Sequence, residues 1–263
     1  MKYSIGVCTS LDRAPLAAKA GAEHIEPGFA ATANLDEQTF RTGLSILRDS
    51  GLYVDAMNSM LPGTAALYGD ASALAPVLEL VRRGMERAAE IGCKTVVLGS
   101  GTARRIPDGM TREQAMQKFS AVVAGFCEIA RPYGIRIAIE PLRAFETNFI
   151  HTVADAAEII GLCPDSVALG ITPDIYHMLE GGEAFDELRR FSDKLFHAHI
   201  CAPDRHYPSP ERPAEDTALY RDFFRALDAA NYQGTISIEG IATDMVTDLP
   251  SALAILDAAQ DQI

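Results

Sequence analysis

Two hydrophobic rhythms alternate along the chain. Short apolar runs rich in β-branched residues recur at positions 3–8, 24–26, 52–57, 95–98, 135–140, 167–172, 195–201 and 235–239, and each predicts a strand. Between them the apolar residues fall three and four apart. Leu74, Val77, Leu78, Val81, Met85, Ala88 and Ile91 share one helical face, and so do Met116, Phe119, Val122, Val123, Phe126 and Ile129. Gly51, Gly92 and Gly134 each stand just before a strand candidate, where a helix closes on a left-handed residue that glycine adopts without strain. Thr111, with Glu113 and Gln114 close behind, predicts a helix start in which a hydroxyl and a side-chain amide satisfy orphan backbone donors.

Strand and helix repeating eight times in 263 residues, about 33 residues per unit, is the arithmetic of a (β/α)8 barrel of the α/β class. A doubly wound sheet competes, because buried parallel strands look alike in open sheets and barrels. That fold announces itself with a Gly-rich turn after its first strand, whereas here the first strand runs into CTSLDR with no GxGxxG. No composition shift or linker divides the chain, so one barrel domain over residues 1–263 is expected. The Pro-rich stretch 203–213 reads as a loop over the barrel mouth.

Charge and cysteine usage narrow the partners. With 23 Lys and Arg against 36 Asp and Glu the net charge is −13, which repels a polyphosphate backbone and argues against nucleic acid. Five cysteines, an odd number with no CxxC, fit thiols packed in a reducing cytoplasm. No apolar run approaches the roughly 20 residues that span a bilayer, and the N-terminal stretch lacks the pattern of a secretion signal. A cytoplasmic protein with neither membrane nor nucleic-acid partner is expected.

The chemistry gathers late in the chain. Glu140, Asp174, His199 and Glu239 each stand at the end of an apolar strand candidate, 34, 25 and 40 residues apart. A carboxylate there is unusual, because burying an ion without a partner costs several kcal/mol. Taken singly, Glu140 and Glu239 read as rim salt bridges, Asp174 as a helix N-cap and His199 as a core histidine. Taken together on strands five to eight, they would converge at one end of a closed barrel. Three carboxylates and one imidazole favour Mn²⁺, with Mg²⁺ or Co²⁺ also suited and Zn²⁺ accommodated.

The segments EPLRAFETN, ITPDIYHM, HAHICAPDRH and SIEG resemble the four signature strand ends of the xylose isomerase-like barrel superfamily, in its sugar (phosphate) isomerase/epimerase branch. The resemblance covers essentially the whole chain and is nearest to ketose 3-epimerases of the tagatose and psicose type. It implies metal ligands at Glu140, Asp174, His199 and Glu239, and sugar contacts at Glu146, His177 and Arg205. It also implies a small carbohydrate substrate, and relatives often pair or tetramerise, so a homo-oligomer is admitted. A ketose chelated by the metal has its carbonyl polarised and the adjacent C–H acidified, giving an enediolate. Glu140 and Glu239, by the same resemblance, would remove a proton from one face and return one to the other.

The chain also departs from that pattern. It has no Trp, the loop after strand four reads GSGTARR, and the length falls short of those epimerases. The shared ligand set leaves a keto-sugar or inosose-type dehydratase as the alternative, with a non-catalytic sugar-binding protein behind it. A DNA-repair endonuclease of the superfamily would need more His ligands and a basic face, which the charge of −13 opposes. Arg104 and Arg105 read either as an anion site or as rim salt bridges. Glu26 and Asn58 are expected in structural hydrogen bonds. His197 reads as a core histidine or a support for His199, and His206 as exposed.

Overall fold

The computed structural model describes residues 2–163, 166–211 and 214–263, so Arg212 and Pro213 at the end of the Pro-rich stretch lie outside the described residues. Among the described residues the apolar runs form eight parallel strands: β1 (Ile5–Cys8), β2 (Ile25–Glu26), β3 (Ala56–Met57), β4 (Thr95–Leu98), β5 (Arg136–Ile139), β6 (Leu169–Ile171), β7 (Ala198–Ile200) and β8 (Ile236–Ile238). They pair in the orders β2-β1-β8-β7 and β3-β4-β5-β6. The bridges His24–Tyr53 and Gly28–Asn58 join β2 to β3, and Ile171–Leu195 and Asp174–His199 join β6 to β7. The ring is closed, and the fold is a TIM barrel.

Around it run α1 (Ala14–Lys19), α2 (Phe29–Ala33), α3 (Glu37–Ser50), α4 (Ala71–Ile91), α5 (Arg112–Ala130), α6 (Val153–Gly161), α7 (Ile175–Gly181), α8 (Ala214–Ala229) and α9 (Met245–Gln260). The two periodic stretches fall in α4 and α5. Gly51 and Gly92 close α3 and α4 in the left-handed region, and Gly134 closes the 3₁₀ turn after α5. Thr111 and Gln114 cap α5 reciprocally, and Thr152 and Asp155 do the same for α6. These local devices satisfy the helix-end donors that packing cannot reach. Among the described residues no helix is long and apolar enough to cross a membrane.

Seven of the eight strands are shorter than the apolar runs that announce them, and β4 matches its run. Glu140 and Glu239 fall one residue beyond β5 and β8, where the chain leaves the ladder to turn over the mouth. The barrel interior is polar in part, since His24, Glu26, His197, His199 and Ser237 are fully buried, while the alternating Ile25 and Ile238 are buried on the opposite face of their strands. Buried polar groups of this kind must be partnered.

Candidate metal centre

Each of the four candidate ligands is placed by backbone pairing at the C-terminal ends of neighbouring strands. The Glu140 N–H donates to Leu98 O at 3.2 Å, the His199 N–H to Pro173 O at 2.9 Å and the Glu239 N–H to Ile200 O at 3.1 Å. Asp174 begins α7, and its Oδ1 accepts the Tyr176 N–H at 2.8 Å. Gly99 makes room for the first ligand, because a Cβ at that position would overlap Glu140 Oε2. One donor atom from each of Glu140, Asp174, His199 and Glu239 lies within 4.8 Å of the others. Glu140, Asp174 and His199 are buried, and Glu239 is partly open to the mouth.

Hydrogen-bond chemistry tests whether these residues suit a cation. His199 Nε2 lies 3.0 and 3.2 Å from the two oxygens of Glu26. An ionised carboxylate only accepts, so Nε2 carries the hydrogen in that pair. The other nitrogen, Nδ1, then faces Glu140 Oε1 at 3.0 Å and Glu239 Oε2 at 3.1 Å. A nitrogen lone pair opposed by two carboxylates requires positive charge between them, as a proton or a metal ion. The donor set of three carboxylates and an imidazole fits a divalent ion of moderate hardness.

The same cluster separates its carboxylates. Burial pushes Glu140 above the ordinary carboxylate range, and the neighbouring Glu239 adds to that rise. Burial would raise Glu239 as well, but His199 and the Arg205 guanidinium bring it down to about 2. Glu26 also resists its own burial, since His197 and His199 hold it well below the usual range.

Arg205 joins the cluster directly. Its Nη1 donates to Asp174 Oδ2 at 2.5 Å and its Nη2 to Glu239 Oε2 at 2.7 Å. The turn that presents it holds Arg205 at φ 69°, with its N–H on Ala202 O. His177 stands at the edge, its Nε2 3.7 Å from Asp174 Oδ2 and 4.0 Å from Glu140 Oε1. Glu146 lies farther out on the loop between β5 and α6, where it accepts from Arg143 Nε at 3.0 Å. Tyr176 lies between Arg143 and Arg205, each guanidinium carbon 4.8 Å from its ring centroid. These stacked cations stiffen the rim.

Arg104 has a different place from either reading of the sequence. It is fully buried, with Nη1 on Leu98 O at 3.2 Å and Nη2 on Ile150 O at 3.3 Å, so it clamps main-chain carbonyls instead of meeting an anion. Burial brings its guanidinium down to about 10. Arg105 is exposed, whereas His206, beside Asp204, is partly covered. Sequence reasoning understated Glu26, although a carboxylate ending an apolar strand was the signal that singled out Glu140 and Glu239. It passed over Arg143 and Tyr176, which carry no mark until the loop and α7 bring them together.

A closed barrel with an acid-and-imidazole cluster at the C-terminal mouth of β5 to β8 defines a TIM-barrel protein with its chemistry at the usual end of the fold. The chain belongs to the xylose isomerase-like TIM barrel family, whose model matches residues 14–260. A probable ketose 3-epimerase from Synechocystis sp. is 32% identical over 108 residues, covering 40% of this chain and 35% of that protein. The 3-dehydro-D-guloside 4-epimerase of Escherichia coli is 30% identical over 172 residues, covering 62% and 63%. The chain thus spans about a third and just under two thirds of these relatives' lengths. Among solved structures, the apo form of 3-keto-D-glucoside 4-epimerase from E. coli superposes with a TM-score of 0.81 over 98% of this chain and 100% of that one, at 23% identity, a likeness of fold.

Proposed function

We propose that the protein is a divalent-metal-dependent epimerase or isomerase of a small ketose or related sugar. The observation that carries this reading is the convergence of Glu140 and Glu239 on one side of His199, from strands three places apart in the ring. The relatives' epimerase names support proton return over the loss of a hydroxyl that a dehydratase needs. Five free cysteines suit a cytoplasmic setting.

A divalent ion held by Glu140, Asp174, His199 and Glu239, with Mn²⁺ the best match to that donor set, would polarise the sugar carbonyl and acidify the neighbouring C–H. Glu239, low in pKa and therefore ionised, takes that proton and leaves an enediolate. Glu140, which reaches the same space from the other side of His199 Nδ1, would return a proton to the opposite face, so that the carbon is inverted. Arg205 reaches the same space with two N–H groups and stabilises negative charge developing on sugar oxygen. His177 and Glu146, one at the edge of the cluster and one at the rim, hydrogen-bond the hydroxyls and hold the sugar in register.

The test is incubation of Mn²⁺-loaded protein with a ketose panel in deuterated water, followed by NMR. Deuterium at C3 marks epimerisation and deuterium at C1 marks aldose–ketose exchange, while no incorporation with any ketose overturns the reading. Glu140→Gln and Glu239→Gln should each lower turnover by about 10²–10⁴-fold, the usual worth of a positioned acid or base. Undiminished rates in both would remove these carboxylates from the mechanism.

A further inference from the structure

Below the metal centre, a continuous column of hydrogen bonds runs down the barrel interior. His199 Nε2 meets Glu26 Oε1 at 3.0 Å, and Glu26 Oε2 meets His197 Nε2 at 2.7 Å. His197 Nδ1 lies 3.2 Å from Thr235 Oγ1, which is 3.1 Å from Asp55 Oδ2. Asp55 Oδ1 ends the column on the exposed Lys94 Nζ at 3.0 Å. The sequence builds it with simple periodicity: His197 and His199 are two apart on one strand and share a face, their ring centroids 5.1 Å apart and nearly perpendicular. Glu26 reaches them from β2, with β1 and β8 between in the ring, so its carboxylate crosses the interior.

We infer that Glu26 and His197 are positioning residues for the metal: Glu26 takes the Nε2 hydrogen of His199 and so turns the Nδ1 lone pair toward Glu140, Asp174 and Glu239, while His197 fixes the second Glu26 oxygen. The inference rests on the metal reading of the site. An imidazole ligand needs its other nitrogen held, and a carboxylate there fixes the tautomer and raises ligand basicity. Stability does not call for this arrangement. A fully buried carboxylate between two fully buried imidazoles is at best neutral against well-packed apolar side chains, because desolvation offsets the pairing. A second polar pair in the same interior, His24 Nε2 and Ser237 Oγ at 3.3 Å, shares no hydrogen bond with His199, although Ser237 stands beside it in strand register, and supplies the control.

The experiment strips the full-length protein with a chelator, titrates Mn²⁺ by calorimetry and records the visible absorption of the Co²⁺ form. Glu26→Gln keeps the side chain's shape but has one carbonyl oxygen for two imidazole donors. It should raise the Mn²⁺ Kd about 10–100-fold and shift the Co²⁺ bands. Thr235→Val, which leaves Glu26 and both imidazoles in place, should weaken binding in the same direction by less, and it carries the test should Glu26→Gln not fold. Ser237→Ala should leave both Kd and spectrum at wild-type values. Wild-type affinity and spectrum in Glu26→Gln, or in Thr235→Val if that is the folded variant, overturn the inference, and so does a loss in Ser237→Ala as large as in the column variants. Failure of the wild type itself to bind Mn²⁺ would instead overturn the metal reading on which the inference rests.

Discussion

Asp174 divides its work between two oxygens. Oδ1 caps α7 on the Tyr176 N–H, and Oδ2 meets Arg205 within the candidate metal cluster. The sequence offered N-cap and metal ligand as competing readings, and the geometry accommodates both in one side chain. Asp174→Asn separates them. Asn caps a helix about as well as Asp, so denaturant stability should stay within about 1 kcal/mol of wild type. The lost charge removes one of three carboxylates from the centre, so Mn²⁺ affinity measured by calorimetry should fall more than about tenfold. A variant that loses several kcal/mol yet binds metal normally would show that Asp174 is a cap alone. Glu26 carries a related lesson about what one residue reveals. It ends an apolar run just as Glu140 and Glu239 do, but its run is three residues long and no spacing shows that β2 faces β7 across the ring.

Strands and caps were legible because each depends on residues close in sequence: a run of β-branched side chains, a Thr three residues before a Gln, a glycine after the last helical turn. Loops were not, since their shape is fixed by distant partners. The segment from Leu142 to Ile150 shows this. Leu142 N–H donates to Ile150 O at 3.1 Å, and Arg104 Nη2 donates to the same oxygen from the neighbouring loop. Ile150, a β-branched residue with a buried side chain, is held at φ 64°, a conformation costing about 1–3 kcal/mol that persists only where surroundings enforce it. Nothing in EPLRAFETN announces that an arginine 46 residues earlier closes its base. Because this loop carries Glu146, Arg104→Lys should loosen the proposed sugar contact there and leave the candidate ligands placed by β6, β7 and β8. A point ammonium cannot span both Leu98 O and Ile150 O. The expected result is a KM raised several-fold with a smaller loss of Mn²⁺ affinity, since Arg104 also holds the Leu98 oxygen that accepts the Glu140 N–H, checked by steady-state kinetics on the ketose that responds and by metal titration. Unchanged KM would mean that the strained turn holds itself.

At the scale of the whole molecule, a barrel that buries histidines and carboxylates in its interior ties its stability to pH. His24 is the group away from the ligands in which this is clearest. It is fully buried, with Nδ1 3.3 Å from Ser4 Oγ and Nε2 3.3 Å from Ser237 Oγ, neutral partners that place no compensating charge on the ring. Burial first and the nearby His197 second bring its pKa down to about 4, and Glu26 and Asp55 only partly oppose that shift. The unfolded chain takes up this proton below about 6.5, while the folded protein refuses it until about 4. Between those values the unfolded state binds more protons, so the His24 contribution is intact above pH 6.5 and is lost as pH falls toward 4. From pH 7 to pH 5 the loss due to this one ring is about 2 kcal/mol. Glu183, pushed up to about 7 by burial, adds a pH dependence of its own, so the useful quantity is a difference: the change in urea-unfolding free energy from pH 7 to pH 5 in wild type minus that in His24→Gln. That difference is independent of whatever constant stability the substitution removes. A value near 2 kcal/mol supports a ring kept neutral by the barrel, whereas equal pH dependence in the two proteins would place its protonation outside the folding equilibrium.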